Sequence, residues 1–450
     1  MDYLQLAQRV VQDASAEGRE VEVIITEGKE TEISISQGEV EQLQQNGPRG
    51  MGVRVLIDGR TGYAFTSDFS EESIAQTWQT AIELAQVATP DEFRKLPPAQ
   101  AVPDEDLGLW HEAMVEVPTE EKIAFAKRME QAALDTDDRI FLVNTCDYGD
   151  QIGHTYLANS KGFASSYGQT VAFGIVGAIA KDGDQAVAAF DFRVANSLAE
   201  LDAEMIGQGA AQKALRMLGG QPVPTQTTTV VLDHLVGAQI LGAFSAALSA
   251  ESWQRSRSFL IGKMGQEIGS SMVTIMDNGR LKGGLGSAPF DGEGVPTKAT
   301  RLVDEGVLQN LIYDSYTAAK DDTFSTGNAA RNGHRGLPRL GPSNFYMQPG
   351  LKSRDELIAD VEDGFYVLSV MQTGGIDPVT GDCSMSANGV WIKDGQLTDP
   401  IGGVTIATTL GDFLQNISDV GSDLRQLPFM GSLGVPTLRV DNVRVGGSEA

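Results

Sequence analysis

Apolar residues recur every three or four positions in some segments and alternate with polar residues in others. The first helical stripe ends near Gly18 and consists of Leu4, Ala7, Val10, Val11 and Ala14. Strand-type patterns follow at 21–25, 31–35 and 52–57, and a second helical stripe occupies 74–85. This order of helix, strands and helix predicts an antiparallel sheet with helices on one face.

The segment after residue 111 repeats this order. A helical pattern at 119–133 precedes strand patterns at 140–145, 153–158 and 170–180. Ser197 and Glu200 have the spacing of a capping box, which predicts that a helix begins there and runs to Gly219.

The last part of the chain has short strand patterns separated by glycine turns. Its clearest helix start is a second capping box, formed by Ser353 and Glu356. We therefore predict an α+β fold, with N-terminal antiparallel sheets and flanking helices and a β-rich C-terminal domain.

Two proline-containing segments, 96–106 and 219–225, show no periodicity. Proline restricts its own φ and disfavours helix at the preceding residue, so such segments join domains rather than continue elements. They predict domains at 1–95, 112–218 and 226–450. A length of 450 residues agrees with two or three domains of ordinary size.

The composition narrows the classes of function. There are 34 Lys and Arg against 61 Asp and Glu, which gives a net charge of −27. This acidity argues against nucleic-acid binding, since the surface repels phosphates. Two cysteines are too few for a secreted disulfide framework, and the start shows no signal peptide. The longest weakly polar stretch, 235–250, is shorter than the ~20 residues that cross a bilayer. We therefore expect a cytoplasmic protein that acts on neither membranes nor nucleic acids.

Common catalytic and metal-binding motifs do not emerge from the residues. His111 and Glu112 begin a zinc-protease signature, but Val115 stands where the second histidine is needed. The glycine-rich segments lack the spacing of a phosphate-binding loop. We therefore assign no catalytic or metal-binding residue to this chain.

Four residues remain as candidates for binding. Asp291 and Glu293 place two carboxylates on either side of a glycine, a spacing that suits shared acid–base work or a solvated turn. Arg331 and His334 lie in a basic loop of an acidic chain, where a loop or interface role stands beside catalysis.

Several stretches of the C-terminal domain resemble those of a known family. They are 289–297 (PFDGEGVPT), 313–318 (YDSYTA), 325–329 (STGNA), 342–344 (PSN), 377–382 (DPVTGD) and 402–407 (GGVTIA). Their order and spacing resemble the C-terminal part of the TldD/PmbA family, once named modulators of DNA gyrase. The first two domains resemble the family's N-terminal and central regions through weaker motifs.

The resemblance implies a cytosolic peptidase built from two related subunits. In the TldD-type subunit, a helix early in the C-terminal domain carries His-Glu-x-x-x-His, and a cysteine near the C-terminus completes a zinc site. Here the matching helix reads LVGAQIL at 235–241, and the C-terminal stretch reads GSDLRQL at 421–427. All three ligands are missing, so the chain is similar to the TldE/PmbA-type subunit.

We therefore expect a non-metal-binding subunit of a TldD/TldE-type zinc metallopeptidase that processes or degrades unfolded peptides. Zinc is expected on a TldD-like catalytic partner, while this chain pairs with that partner or with a second copy of itself. The chain would hold an extended peptide through backbone hydrogen bonds. Asp291, Glu293, Arg331 and His334 are the expected substrate-binding residues.

Two alternatives stay open at this point. A self-contained hydrolase would use a non-metal site around Asp291, Glu293 and His334. A regulatory protein would act on a basic partner such as a topoisomerase, as the older family name suggests, although its acidic residues form no single block.

Overall fold

Helices alternate with long strands in the first half of the chain. The structure, a computed structural model, describes residues 1–15, 18–429 and 431–447, and for 372–374 the backbone alone. The helices of this half are α1 (Tyr3–Ala14), α2 (Glu71–Val87), α3 (Glu112–Glu116), α4 (Thr119–Leu134) and α5 (Ala203–Met217). The strands are β1 (Glu20–Ser36), β2 (Glu39–Asn46), β3 (Arg49–Ile57), β4 (Arg60–Thr66), β5 (Ile140–Asn159), β6 (Ala164–Asp182) and β7 (Gln185–Ala195).

These strands form one antiparallel sheet in the order β4-β3-β1-β5-β6-β7, with β2 paired to the second half of β1. The patterns at 21–25 and 31–35 belong to the single strand β1, because β5 pairs with it continuously from Glu22 to Ser34. The patterns at 140–145 and 153–158 likewise fuse into β5. Segments 1–95 and 112–218 therefore share a sheet, and the domain boundaries stay a prediction.

Each half of this sheet buries its own helical layer on the same face. One hydrophobic cluster joins α1 and α2 to β1 and β3, through residues such as Val10, Ile82, Val23 and Val53. A second cluster joins α4 and α5 to β5 and β6, through residues such as Met129, Ile206, Tyr148 and Val176. The opposite face of the sheet is left to contact the C-terminal part of the chain.

The second half of the chain is richer in strands. Its helices are α6 (His234–Ala247), α7 (Ala250–Gln254), α8 (Ser315–Lys320), α9 (Arg354–Ala359) and α10 (Leu410–Gln415). Its strands are β8 (Gln226–Leu232), β9 (Ile275–Asn278), β10 (Ala299–Asp304), β11 (Val307–Leu308), β12 (Ala329–Ala330), β13 (Arg339–Leu340), β14 (Asn344–Met347), β15 (Asp363–Ile376), β16 (Asp382–Lys393), β17 (Gln396–Thr409), β18 (Ile417–Val420), β19 (Arg425–Leu427), β20 (Ser432–Val435) and β21 (Leu438–Gly446).

A barrel and a second sheet enclose the C-terminal core. The barrel strands run in the order β17-β16-β15-β8-β21, and β21 pairs back to β17 to close it. The sheet β11-β10-β9-β14-β20-β19 lies beside the barrel. Phe244 on α6 shares one hydrophobic cluster with Phe365 of the barrel and Phe345 of the sheet. The predicted fold class, α+β with a β-rich C-terminal domain, is thus confirmed.

One predicted helix start is wrong. The Ser197 hydroxyl accepts from the N–H of Ala199 in a short 3₁₀ turn, and the backbone returns to an extended conformation at Leu201. The helix α5 begins later, with Asp202 as N-cap and its carboxylate accepting from the N–H of Met205. At the other predicted start, Ser353 and Glu356 make both bonds of a capping box, and α9 begins there.

Among the helices of the described ranges, none combines the length and the apolar character needed to cross a bilayer.

Gly207 marks the place where α5 crosses α4. A Cβ at Gly207 would overlap the carbonyl oxygen of Met129 and lie 2.8 Å from the backbone nitrogen of Ala133. We expect Gly207→Ala to destabilise the fold by roughly 1–3 kcal/mol through overpacking. This loss should appear as a lower midpoint of thermal unfolding, even though alanine has the higher helix propensity.

The matched control is Gly411→Ala in α10, where a Cβ would meet only the Thr409 hydroxyl at 3.8 Å. This variant should leave the midpoint unchanged or raise it. Equal losses in the two variants would contradict the close helix contact as the cause.

Candidate functional site

The face of the first sheet that lies away from its helices carries polar side chains at alternating positions. On β1, Val21, Val23 and Ile25 point into the helical core, so Glu22 and Thr26 point to the other face. Cross-strand pairing then places Arg54 of β3 opposite Glu22, and Tyr63 of β4 opposite Arg54. Strand alternation thus gathers one acid, one base and two hydroxyls on a surface that meets the C-terminal domain.

Two glycines on β3 let a C-terminal loop approach this surface closely. A Cβ on Gly50 would overlap the imidazole of His334, and a Cβ on Gly52 would overlap the Tyr63 hydroxyl and the His334 carbonyl oxygen. The loop around His334 therefore packs directly on the backbone of β3. Any larger residue at these two positions would push it away.

Four buried charged side chains join the sheet to the C-terminal loops, and we call them the ion cluster. Arg54 donates from Nη2 to Oε2 of Glu22 at 2.6 Å, and from Nη1 to Oε1 of Glu293 at 3.1 Å. Arg331 donates from Nη1 to the other oxygen of Glu22, also at 2.6 Å. The cluster pairs two cations with two anions, and no side chain in it is more than 6 % exposed.

The charges of the ion cluster shift the pKa values of Glu22 and Arg54. Burial opposes the charged form of Glu22, but the positive charges of Arg54 and Arg331 outweigh it and hold the pKa of that carboxyl below its usual value of 4.5. Burial opposes the charge of Arg54 too, and its two glutamates reverse this effect, so that its pKa is raised. Glu22 and Arg54 are thus both charged at neutral pH.

Asp291 organises the turn that presents Glu293 to the cluster. Its carboxylate accepts from the backbone N–H groups of Glu293, Val295 and Ala329 at 2.9–3.0 Å. Burial, and then the charge of Glu293, raise the pKa of Asp291 above its usual value. Glu293 also accepts from the N–H of Ser315 with its second oxygen. The turn is therefore buried and hydrogen-bonded rather than solvated.

His334 anchors the neighbouring loop to the sheet. Its Nδ1 lies 2.8 Å from the Thr26 hydroxyl, and its carbonyl oxygen accepts from the Tyr63 hydroxyl at 2.6 Å. Burial, and then the charge of Arg335, lower the pKa of His334, so the imidazole is neutral at neutral pH. His334 thus links the C-terminal loop to β1 and β4 through one side-chain and one backbone hydrogen bond.

A groove with two lobes lies between the sheet and these loops. The lobes have volumes of about 210 and 400 Å³ and share the residues Thr26, Thr155, Tyr167, Arg331 and Gly333. Nine of the 21 residues that line the smaller lobe are glycine or alanine, so much of its wall is backbone.

The four candidates from the sequence meet in this region. Asp291 and Arg331 line the smaller lobe, and Arg331 and His334 line the larger one. Glu293 is not among the lining residues of either lobe; it lies behind the wall and holds Arg54.

Sequence reasoning missed the N-terminal half of this region. Glu22, Arg54 and Tyr63 were not singled out, although two local signals mark them. Glu22 is the only charged residue in the otherwise apolar stretch 21–25 of β1, and Arg54 follows two glycines at alternating positions of β3. A charge on a buried strand needs a partner, and here Glu22 and Arg54 pair with each other and with one residue each from the C-terminal domain.

A second region of interest is α6, the helix that the resemblance described above places at the zinc motif of TldD-type subunits. Its first residue, His234, is engaged, with Nε2 2.8 Å from the carbonyl oxygen and 3.1 Å from the carboxylate of Asp423. The side of α6 that faces a cavity of about 470 Å³ carries Leu235, Ala238, Gly242 and Ala243, with Gln239 as its one polar side chain. The remaining wall is also largely apolar and includes Phe190, Ile376, Pro378, Phe429 and Leu433.

The residues of the α6 region do not fit a zinc ion, which needs nitrogen, sulfur or carboxylate ligands near 2 Å. Across residues 1–15, 18–429 and 431–447 there is no group of three or more His, Cys, Asp or Glu placed to hold a metal. Within the described residues, the α6 region thus lacks the ligand set of a zinc site, and its cavity wall is largely apolar.

Replacing one charged residue of the ion cluster should strongly reduce the stability of the fold. Glu22→Gln removes one anion and leaves Arg331 without its carboxylate partner. We expect a loss of stability of roughly 3–5 kcal/mol, the usual cost of breaking a buried pair, measured by thermal unfolding at neutral pH. Arg301→Gln, which breaks the exposed pair with Asp304, should cost at most about 1 kcal/mol.

The same variant tests the pH dependence. Because the pKa of Glu22 is lowered in the folded state, its stabilisation is present above pH 4.5 and is lost as the pH falls through the folded value. The wild type should therefore lose stability below about pH 4.5, and Glu22→Gln should lose less over the same range. Identical acid profiles in the two proteins would contradict the assignment.

Comparison with protein families matches three parts of the chain. Residues 21–85 match a model described as PmbA/TldA metallopeptidase domain 1, and residues 114–218 match the central domain of the same family. Residues 225–447 match the PmbA/TldA metallopeptidase C-terminal domain.

Whole-chain comparisons agree with these matches. A metalloprotease PmbA homolog from Haemophilus influenzae is 27 % identical over 453 residues, which cover 99 % of this chain and 96 % of that protein. A crystal structure from Thermotoga maritima, described as a candidate modulator of DNA gyrase, has a TM-score of 0.89 at 26 % identity and covers 99 % of this chain and 100 % of that one. TldE from Thermococcus kodakarensis has the same fold, with a TM-score of 0.87 at 21 % identity and 99 % coverage of both chains. The family models together span most of the residues, and this chain belongs to the PmbA/TldD family of metallopeptidases.

Proposed function

We propose that this chain is the non-metal-binding subunit of a TldD/TldE-type zinc metallopeptidase that processes or degrades unfolded peptides. The observation that carries the proposal is the apolar face of α6, where Leu235, Ala238 and Ala243 line the cavity and supply no metal ligand. Zinc, held by a TldD-like partner, would activate water for hydrolysis. The residues of this chain would bind and align the peptide.

We further propose that the peptide lies in the two-lobed groove, against Asp291, Arg331 and His334. The wall of small residues supports this, because an extended chain can then approach the protein backbone with little demand on its side chains. Glu293 would act indirectly, by holding Arg54 and thereby the wall of the groove. Such a site suits many unfolded peptides rather than one sequence.

The two alternatives rest on weaker support. A self-contained hydrolase needs carboxylates that reach a substrate, but Glu293 lines neither lobe of the groove, and both oxygens of Asp291 are held by backbone N–H groups. A regulatory role rests only on how solved relatives such as the Thermotoga structure are described. The experiment below separates these cases from the proposed function.

The test is reconstitution with a TldD-like protein from the same source organism. We expect the two chains to co-elute in size-exclusion chromatography with light scattering, and to cleave an unfolded casein substrate in a chelator-sensitive reaction that neither chain performs alone. Elemental mass spectrometry should find a zinc-to-protein ratio near zero for this chain by itself. A partner that is fully active alone and never co-elutes would overturn the proposal.

The groove makes a separate prediction for the reconstituted enzyme. Ala330 is exposed and lines the smaller lobe, so Ala330→Trp should fill the lobe without disturbing the core. We expect kcat/KM for the unfolded substrate to fall by about tenfold or more, since a blocked site loses substrate binding in the transition state.

Ala186→Trp is the matched control, because Ala186 is exposed on β7 and lines neither lobe. It should retain the wild-type kcat/KM. If both tryptophan variants complex with the partner and are equally active, the peptide does not use this groove.

A further inference from the structure

A third cavity, of about 220 Å³, lies between the central segment and the C-terminal domain, away from the groove. We call it the basic pocket, and its charged lining consists of Arg193 on β7, Lys213 and Arg216 on α5, Arg354 on α9 and Arg425 on β19, with Asp191 and Asp233. His234 also lines it and is engaged by Asp423. Five Lys and Arg side chains face two carboxylates, in a chain whose net charge is −27. The local charge is opposite to that of the whole protein.

The two carboxylates are shared among several cations. Asp191 lies 2.9 Å from Arg425, 3.4 Å from Arg193 and 3.7 Å from Lys213. Asp233 pairs with Lys213 at 3.1 Å. Asp191 is thus the shared partner of three cations. The carboxylates in the lining therefore do not neutralise all of the positive charge of the pocket.

Some N–H donors of the basic pocket have no hydrogen-bond partner among the described residues. The Nε of Arg425 is buried and has no hydrogen-bond partner among the described residues. Arg216 lies exposed at the rim, and over the described part of the chain its side chain makes neither an ion pair nor a hydrogen bond. Burial, and then the charge of Arg425, lower the pKa of Arg193, as expected when like charges are crowded together.

We propose that the basic pocket binds a small oxyanion that carries at least two negative charges, of the phosphate-ester or polycarboxylate class. Arginine presents a planar fork of N–H donors that matches phosphate and carboxylate oxygens, and such charge-assisted bonds are about twice as strong as neutral ones. An anion seated between Arg193, Arg216 and Arg425 neutralises the excess charge. The volume suits a small molecule, since drug-sized ligands occupy roughly 300–1,000 Å³.

The position of the pocket gives the bound anion a structural consequence. α5 and β7 belong to the central segment, whereas Arg354 and Arg425 belong to the C-terminal domain. An anion that contacts both sides holds them together, because it binds only the assembled fold and therefore stabilises it by mass action.

The test uses the full-length chain and thermal unfolding at constant ionic strength. Sodium chloride is replaced stepwise by inorganic phosphate in one series and by citrate in another. We expect a saturable rise in the midpoint that chloride does not produce. A larger effect from phosphate identifies a phosphoryl ligand, and a larger effect from citrate identifies a carboxylate ligand. If neither anion raises the midpoint above the chloride reference, the proposal fails.

Variants locate the effect. Arg216→Gln changes an exposed side chain without a structural partner, so the fold should be retained, and the dissociation constant of the active anion should rise by about tenfold. Arg193→Gln should act in the same direction.

Arg255→Gln, which changes an exposed arginine next to α7 outside the pocket lining, is the control and should bind like the wild type. Equal anion binding by Arg216→Gln, Arg193→Gln and Arg255→Gln would place the anion elsewhere and overturn the proposal.

Discussion

The ion cluster of Glu22, Arg54, Glu293 and Arg331 is the constraint on which the rest of the molecule depends. A buried charge is tolerated only when it is paired, and each half of this cluster comes from a different part of the chain. Without the C-terminal loops, Glu22 would face one arginine with half its oxygens unpaired; without the sheet, Glu293 would have no cation. The two halves therefore neutralise one another only when they are assembled, and assembly creates the groove between them.

The same logic recurs at the other junction. Asp191 on β7 and Arg425 on β19 pair across the boundary between the central segment and the C-terminal domain. Both junctions of this acidic chain thus contain arginines that pair with buried carboxylates. In the ion cluster beside the groove, two cations balance two anions. At the basic pocket they do not, and the imbalance is what makes it a binding site for an anion.

The chemistry of the α6 region shows how one scaffold serves different tasks. The family to which the chain belongs is named for metallopeptidases, yet the α6 face consists of leucine, alanine, glycine and one glutamine, and the single histidine of α6 is bound to Asp423. A fold places a helix; the side chains on that helix decide whether the place is a catalytic centre. Here those side chains are mostly apolar, and buried charged groups of the chain lie instead in the ion cluster and the basic pocket.

Local patterns in the sequence determined which segments become helices and strands, because the periodicities of 3.6 and 2 follow from backbone geometry alone. They predicted the α+β class, the helix α1 and the capping box at Ser353, and the motifs near Asp291 carried the family resemblance. Tertiary structure decided the rest. It fused two strand patterns into β1, moved the start of α5 to Asp202, and paired Glu22 with an arginine 309 residues away. Such a pairing leaves no periodic trace, since it depends on which faces meet after the strands have formed, and the groove and the basic pocket exist only through contacts of this kind.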